Sequence, residues 1–175
     1  MTSLILLRHA KAVPGGSGGD HQRELAEKGR AGAALIGAEL KRLGVKPDIV
    51  LVSSALRTRE TYDIVAATAG FVPGQIEDDI YLASATVLLR RLRKTVPRTK
   101  CVMLVGHNPG IAELADHLSD PAESDAAALK RLRLRFPPAA CAVMTVLTPW
   151  SELQDGDCAL QHYITPHDLG GSDED

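Results

Sequence analysis

Four apolar residues in a row, Leu4-Ile5-Leu6-Leu7, run straight into Arg8-His9, and the same event recurs twice further along the chain. Ile49-Val50-Leu51-Val52 stops at Ser53-Ser54, with Arg57 shortly after, and Cys101-Val102-Met103-Leu104-Val105 stops at Gly106-His107. Unbroken apolar runs of this length read as strands covered on both faces, as in a parallel sheet between two helix layers. In open sheets of that kind ligands bind beyond the carboxyl ends of the strands. Each run therefore delivers a cationic or imidazole side chain to one edge of the molecule.

The stretches between the runs carry helix signals. From about 27 to 43, Ala33, Ile36, Leu40 and Leu43 recur at helical spacing, and Gly44 with Pro47 marks the stop. Ser53 or Ser54 can cap a helix beginning near Ala55, which puts Arg57 in its first turn beside free backbone N–H groups. Arg59 and Glu60 read as surface charges. A short extended piece over 75–81 precedes a third stripe of Ala85, Leu88, Leu89, Leu92 and Val96. Asn108 as N-cap and Pro109 as first helical residue open a fourth helix through Ile111, Leu114, Ala115 and Leu118. Polar residues 119–128 read as a loop, and Arg131-Leu132-Arg133-Leu134-Arg135-Phe136 alternates like a half-exposed strand. Two more strands are expected near 141–147 and 159–164. The expectation is one α/β domain over 1–169, a three-layer α/β/α sandwich with a mostly parallel central sheet, followed by an acidic disordered tail over 170–175.

Composition excludes several classes. The chain has 175 residues, 45% of them hydrophobic, which suits a single folded core, and a net charge of −2 with 3% aromatics leaves no footprint for nucleic acid. No apolar run approaches a membrane span or a signal peptide, so a cytoplasmic protein with no membrane contact is expected. Cys101, Cys141 and Cys158 are an odd, scattered set, and the first two sit in apolar runs as small core residues. No metal-ligand spacing occurs. Neither metal nor cofactor is expected.

Two arginines, two histidines and helix N-termini on one edge make a dianion site. The segments LILLRHA, SSALRTRET and VGHNPG resemble the histidine phosphatase superfamily, the group with the phosphoglycerate-mutase fold. Within it, RELAEKG after a Gly-rich loop resembles the RPLTxxG segment of SixA-like phosphohistidine phosphatases. The resemblance runs from Leu4 to about Leu169. It implies that His9 is a nucleophile forming a phosphohistidine intermediate, and that Arg8, Arg57 and His107 bind phosphoryl oxygens. Arg23, by analogy with the Arg of RPLT, would be a further phosphate ligand or a loop anchor. The physics agrees: His9 must be neutral to attack, and neighbouring arginines favour that form.

Two departures stand out. Ala26 replaces the capping Thr of the motif, and no sure equivalent appears of the glutamate that many members use as general acid. Glu77, Asp78 and Asp79 are the candidates by position. A missing acid favours a good leaving group, since protonating a poor one contributes about 10²–10⁴-fold. Imidazole leaving a phosphoramidate meets that condition, and only ~30 residues separate the second helix from the fourth strand, too few for a large cap. The expected function is a metal-independent protein phosphohistidine phosphatase in signal transduction, whose partner is a phosphohistidine-bearing protein such as a histidine phosphotransfer domain. The rivals are a small-molecule phosphomonoesterase of the same superfamily, acting on a phosphorylated metabolite, and a non-catalytic phosphate-binding module. Relative activity on small esters separates the first. Intact His9 speaks against the second, because binding alone needs no nucleophile.

Overall fold

The structure, a computed structural model, describes residues 1–172. Among them, β1 (Thr2–Arg8), β2 (Ile49–Ser53), β3 (Gln75–Glu77), β4 (Cys101–Gly106), β5 (Cys141–Val146) and β6 (Cys158–Ile164) form one sheet in the order β3-β2-β4-β1-β5-β6. Strands β3, β2, β4 and β1 pair in parallel, β5 is antiparallel to β1, and β6 is antiparallel to β5. β1 and β4 lie side by side with Arg8 opposite Gly106, so both strands end at the same level. His9 and His107, the next residue of each, are thereby brought together.

The period of two along each strand feeds two cores. Leu4 and Leu6 of β1, with Val102 and Leu104 of β4, face α3 (Ala85–Arg93), α4 (Gly110–Leu118) and α5 (Ala126–Leu134). Ile5 and Leu7, with Met103 and Val105, face α1 (Glu27–Arg42) and α2 (Leu56–Ala69). The sandwich therefore has the expected three layers. These eight strand residues have no exposed surface, and each such burial contributes about 1.5–3 kcal/mol. All three cysteines are buried, and burial pushes their thiols up to about 12, which suits inert core residues.

Glycine matters most at two close approaches. A Cβ on Gly29 would lie 2.0 Å from the Lys11 carbonyl oxygen, and one on Gly110 would lie 2.0 Å from that of Ala83. The first lets α1 lean on the arm that leaves β1; the second lets α4 start directly behind His107.

Several expectations change. The Arg-Leu alternation at 131–136 is not a strand: α5 takes in 131–134 and ends there, with Leu129 and Leu132 buried and the Asp125 carboxylate accepting from Ala128 N at 2.8 Å. The alternation does not survive in the helix: Leu129 and Leu132 share the buried face at a spacing of three, and Leu134 is 75% exposed. Asn108 does not cap α4, which begins at Gly110 after Pro109; the Asn108 amide instead donates to the Phe136 carbonyl at 2.8 Å. Neither Ser53 nor Ser54 is the N-cap of α2, a place held by Ala55, although Ser53 Oγ accepts from Ala55 N at 3.3 Å. Val96 lies beyond the end of α3 and is 44% exposed. Of the expected disordered tail, Gly171 N is ordered on the Pro166 carbonyl at 2.8 Å, and 173–175 lie outside the described residues.

Candidate active site

His9 is held by backbone on every side. Its N–H donates to the Gly106 carbonyl at 3.0 Å, and its carbonyl accepts from Ala139 N at 2.9 Å. The next amide, Ala10 N, donates to Thr61 Oγ1 at 2.9 Å, and that hydroxyl donates to the Arg57 carbonyl at 2.7 Å on α2. Ala139 makes its bond from the left-handed region, φ 62°, a strained conformation for a residue with a Cβ. The His9 ring places Nδ1 2.8 Å from the Ala10 carbonyl oxygen. A carbonyl can only accept, so Nδ1 carries the proton and Nε2 keeps its lone pair.

His107 sits beside it, with ring centroids 5.3 Å apart. Its Nε2 is 2.7 Å from Ser53 Oγ at the end of β2. Burial is the largest cause that lowers both rings, to about 3 each, and the positive neighbours Arg8 and Arg57 add to it. Sequence reasoning named the arginines as the cause of a neutral His9; the structure puts desolvation first. Arg8 donates from Nη1 to the Phe136 carbonyl at 3.0 Å, which ties it to the same carbonyl as Asn108. Arg8 Nε, Arg57 Nε and His107 Nδ1 are buried polar atoms with no hydrogen-bond partner among the described residues. Buried donors are ordinarily paired. Arg59 Nε and Asn108 Oδ1 are likewise buried without a partner among the described residues.

The second wall is the Gly-rich loop. Its arms meet through Val13 N to Glu24 O, 2.9 Å, and Ala26 N to Lys11 O, 2.9 Å. Arg23 clamps them, with Nε on the Val13 carbonyl at 2.8 Å and Nη1 on Asp20 Oδ1 at 3.0 Å. Glu60, expected as a plain surface charge, accepts from Leu25 N at 2.9 Å and from Arg30 at 2.8 Å. So anchored, the loop sets Asp20 on Arg57: Nη1 donates to the Asp20 carbonyl at 2.8 Å and Nη2 to Asp20 Oδ2 at 3.0 Å. Tyr81 donates its hydroxyl to the same carboxylate oxygen. That bond, with those from Arg23 and Arg57, holds the Asp20 carboxyl well below the usual carboxylate range. The Tyr81 ring meets His21 edge-on at 4.9 Å and His107 at 5.5 Å, and His21 Nε2 is 2.9 Å from Ser54 Oγ.

The structure thus brings Arg8, His9, Arg57 and His107 to one place and puts Arg23 in the loop, in contact with Asp20. Glu77 is occupied elsewhere, accepting from Arg91 at 2.7 and 2.8 Å, and Asp78 and Asp79 are exposed. Asp20, His21, Ser53, Thr61 and Tyr81 were missed as site residues. Asp20 and His21 carried a signal, standing just before the RELAEKG segment; Tyr81 and Thr61 had none, since only packing places them. Among the described residues no three His, Cys, Asp or Glu side chains gather to hold a metal ion, and no helix is long and apolar enough to cross a membrane.

Comparison with known proteins gives a consistent result. The family description "Histidine phosphatase superfamily (branch 1)" matches residues 4–81. An uncharacterised protein of Mycobacterium tuberculosis is 30% identical over 160 residues, covering 91% of this chain and 99% of that protein. Among solved structures, a SixA of Nakamurella multipartitia assigned as a phosphohistidine phosphatase superposes with a TM-score of 0.81 at 27% identity, covering 94% of this chain and 96% of the other. A SixA of Agrobacterium tumefaciens with the same assignment gives 0.76 at 28% identity, covering 94% and 98%.

Proposed function

The chain belongs to the histidine phosphatase superfamily, on its SixA-like branch, and we propose that it removes the phosphoryl group from protein phosphohistidine through a covalent intermediate on His9. The observation that carries the reading is the His9 ring itself: neutral, buried, and tied through Nδ1 to Ala10 so that Nε2 is the nucleophilic atom. Its surroundings support the same step. Arg8 Nε, Arg57 Nε and His107 Nδ1 supply donors for oxygens that gain charge as the phosphoryl group passes over. For His107 to donate through Nδ1 while neutral, Nε2 must be the acceptor, so the Ser53 hydroxyl donates to it and sets the tautomer.

In the first step the Nε2 lone pair of His9 forms the new P–N bond, and the old P–N bond breaks with its electron pair going to the departing imidazole. That imidazole already carries a proton on its other ring nitrogen, so it leaves neutral and needs no acid from the site. In the second step a water oxygen attacks phosphorus, the electron pair of the P–N bond returns to Nε2, and the water proton leaves to solvent. Neither step draws on Glu77, which Arg91 occupies, or on Asp20, which is ionised. A site without a protonated carboxyl suits imidazole as leaving group better than an alkoxide. The arginines are the cations of the reaction, and turnover in excess chelator is the expected result.

A time course decides between substrates. A phosphorylated histidine phosphotransfer domain is compared with a panel of small phosphate esters at equal concentration, with trapping of labelled enzyme. Faster loss from the phosphohistidine protein, with an acid-labile, base-stable adduct, is expected. Preference for a sugar phosphate or nucleotide would overturn the substrate class and leave the phosphatase standing.

A further inference from the structure

Both terminal nitrogens of Arg57 are bound by one residue. Asp20 takes Nη1 on its carbonyl and Nη2 on its carboxylate, and Tyr81 and Arg23 donate to the same carboxylate group. The exposures are unequal: the Arg57 side chain is 3% exposed and that of Asp20 45%. The guanidinium is shut off from water, whereas the carboxylate can turn toward it. A planar guanidinium with two nitrogens engaged offers a phosphoryl group less than its full donor set.

We propose that Asp20 is a built-in competitor of small phosphate anions, a positioning and selectivity residue that holds Arg57 in register and that an oxyanion must push aside to use the Nη2 edge. The inference rests on the reading of Arg57 as a phosphoryl ligand. Negative charge beside the phosphoryl position disfavours every incoming dianion alike. A free phosphate or a small ester has only its own oxygens with which to displace the carboxylate. A phosphohistidine presented on a folded protein brings contacts outside the phosphoryl group, and their binding energy can drive the displacement. Asp20 would thus weaken product inhibition by phosphate and turn the site toward macromolecular substrates. The arrangement is poised for it: the carboxylate is carried by a 3-10 turn, Asp20–Gln22, following exposed Gly-rich chain, while the arms of the loop stay clamped by Arg23 and Glu60.

Inorganic phosphate is the probe, read as a competitive inhibitor of the full chain. Asp20→Asn keeps the shape and removes the charge. Phosphate should then inhibit more tightly, by about fivefold, the range of one partly exposed charge pair, while turnover on the phosphohistidine protein falls as Arg57 loses its fixed partner. A merely structural Asp20 predicts weaker phosphate binding together with lower turnover, so a weaker or unchanged inhibition constant overturns the proposal. Should Asp20→Asn not fold, Tyr81→Phe, which removes one hydroxyl from the same carboxylate, must shift phosphate affinity in the same direction by a smaller factor. Arg57→Ala separates the two levels. Loss of phosphate inhibition there with no tightening in Asp20→Asn sinks only the role of Asp20; undiminished inhibition in Arg57→Ala sinks the site reading with it.

Discussion

At the ends of β1 and β4 the site is held by its main chain: His9 N reaches Gly106 O, Ala139 N reaches His9 O, and Ala10 N is pinned by the buried Thr61 hydroxyl of α2. Across from them, Asp20 and His21 ride on a loop whose grip on the strand-end wall is made by side chains of Arg57, Tyr81 and Ser54. The first wall is nearly dry, with His107 and Arg57 each 3% exposed, and the second is open to water at Asp20. Buried backbone bonds cannot exchange for water and leave a reactive atom one position; half-exposed side-chain bonds can be traded for a ligand. The division teaches why nucleophile and selectivity device sit on different elements. A nucleophile gains from rigidity, and a competitor must be able to leave.

His9→Ala strikes the backbone-held wall hardest. Turnover should vanish and no acid-labile adduct form, with thermal unfolding close to that of the parent, because the ring faces the other polar groups of the site and not the cores. Label retained by the variant would move the nucleophile elsewhere and dissolve the comparison.

Arg57 joins the two walls, and Arg57→Lys should cost on the order of 10²-fold in turnover, as for removal of one preorganised donor. A single ammonium cannot keep the Asp20 carbonyl and also offer a phosphoryl group the edge that the Asp20 carboxylate gives up. A loss of only a few-fold would mean that charge alone matters at this position.

Arg23→Ala tests the loop by itself. It removes the bonds to Val13 O and Asp20 Oδ1, both at half-exposed positions, and should raise KM less than about tenfold with kcat little changed. A collapse of kcat would show the loop to be as much part of the rigid machinery as the strand ends.

The smallest expected effect is an absence of titration. Both imidazoles are held at about 3, against about 6.5 in an unfolded chain, so ring nitrogen NMR shifts of His9 and His107 should stay those of neutral imidazole from pH 7 to pH 5. Between those two values the unfolded chain binds protons that the folded one refuses. The stability these rings contribute is therefore complete above about pH 6.5 and declines as pH falls toward 3. A midpoint near 6.5 for either ring would mean that the strand-end wall is wetter than its burial implies.

What the sequence determined by itself is the part governed by short-range pattern. Continuous apolar runs identified β1, β2 and β4, and their abrupt ends put Arg8, His9, Arg57 and His107 on one edge, because a parallel sheet aligns the carboxyl ends of its strands. Where pattern was ambiguous the reading failed: the Arg-Leu alternation over 131–134 belongs to α5, and the serines at the end of β2 serve His107 and His21, with no side-chain cap on the helix. Only the tertiary structure decided the rest. Tyr81 and Asp20 are 61 residues apart, and Asn108 meets Phe136 across 28, contacts no local propensity encodes. The neutrality of His9 was legible, but its main cause was not. Desolvation belongs to the packed layers around a ring, and those exist only once the sheet has closed between its helices.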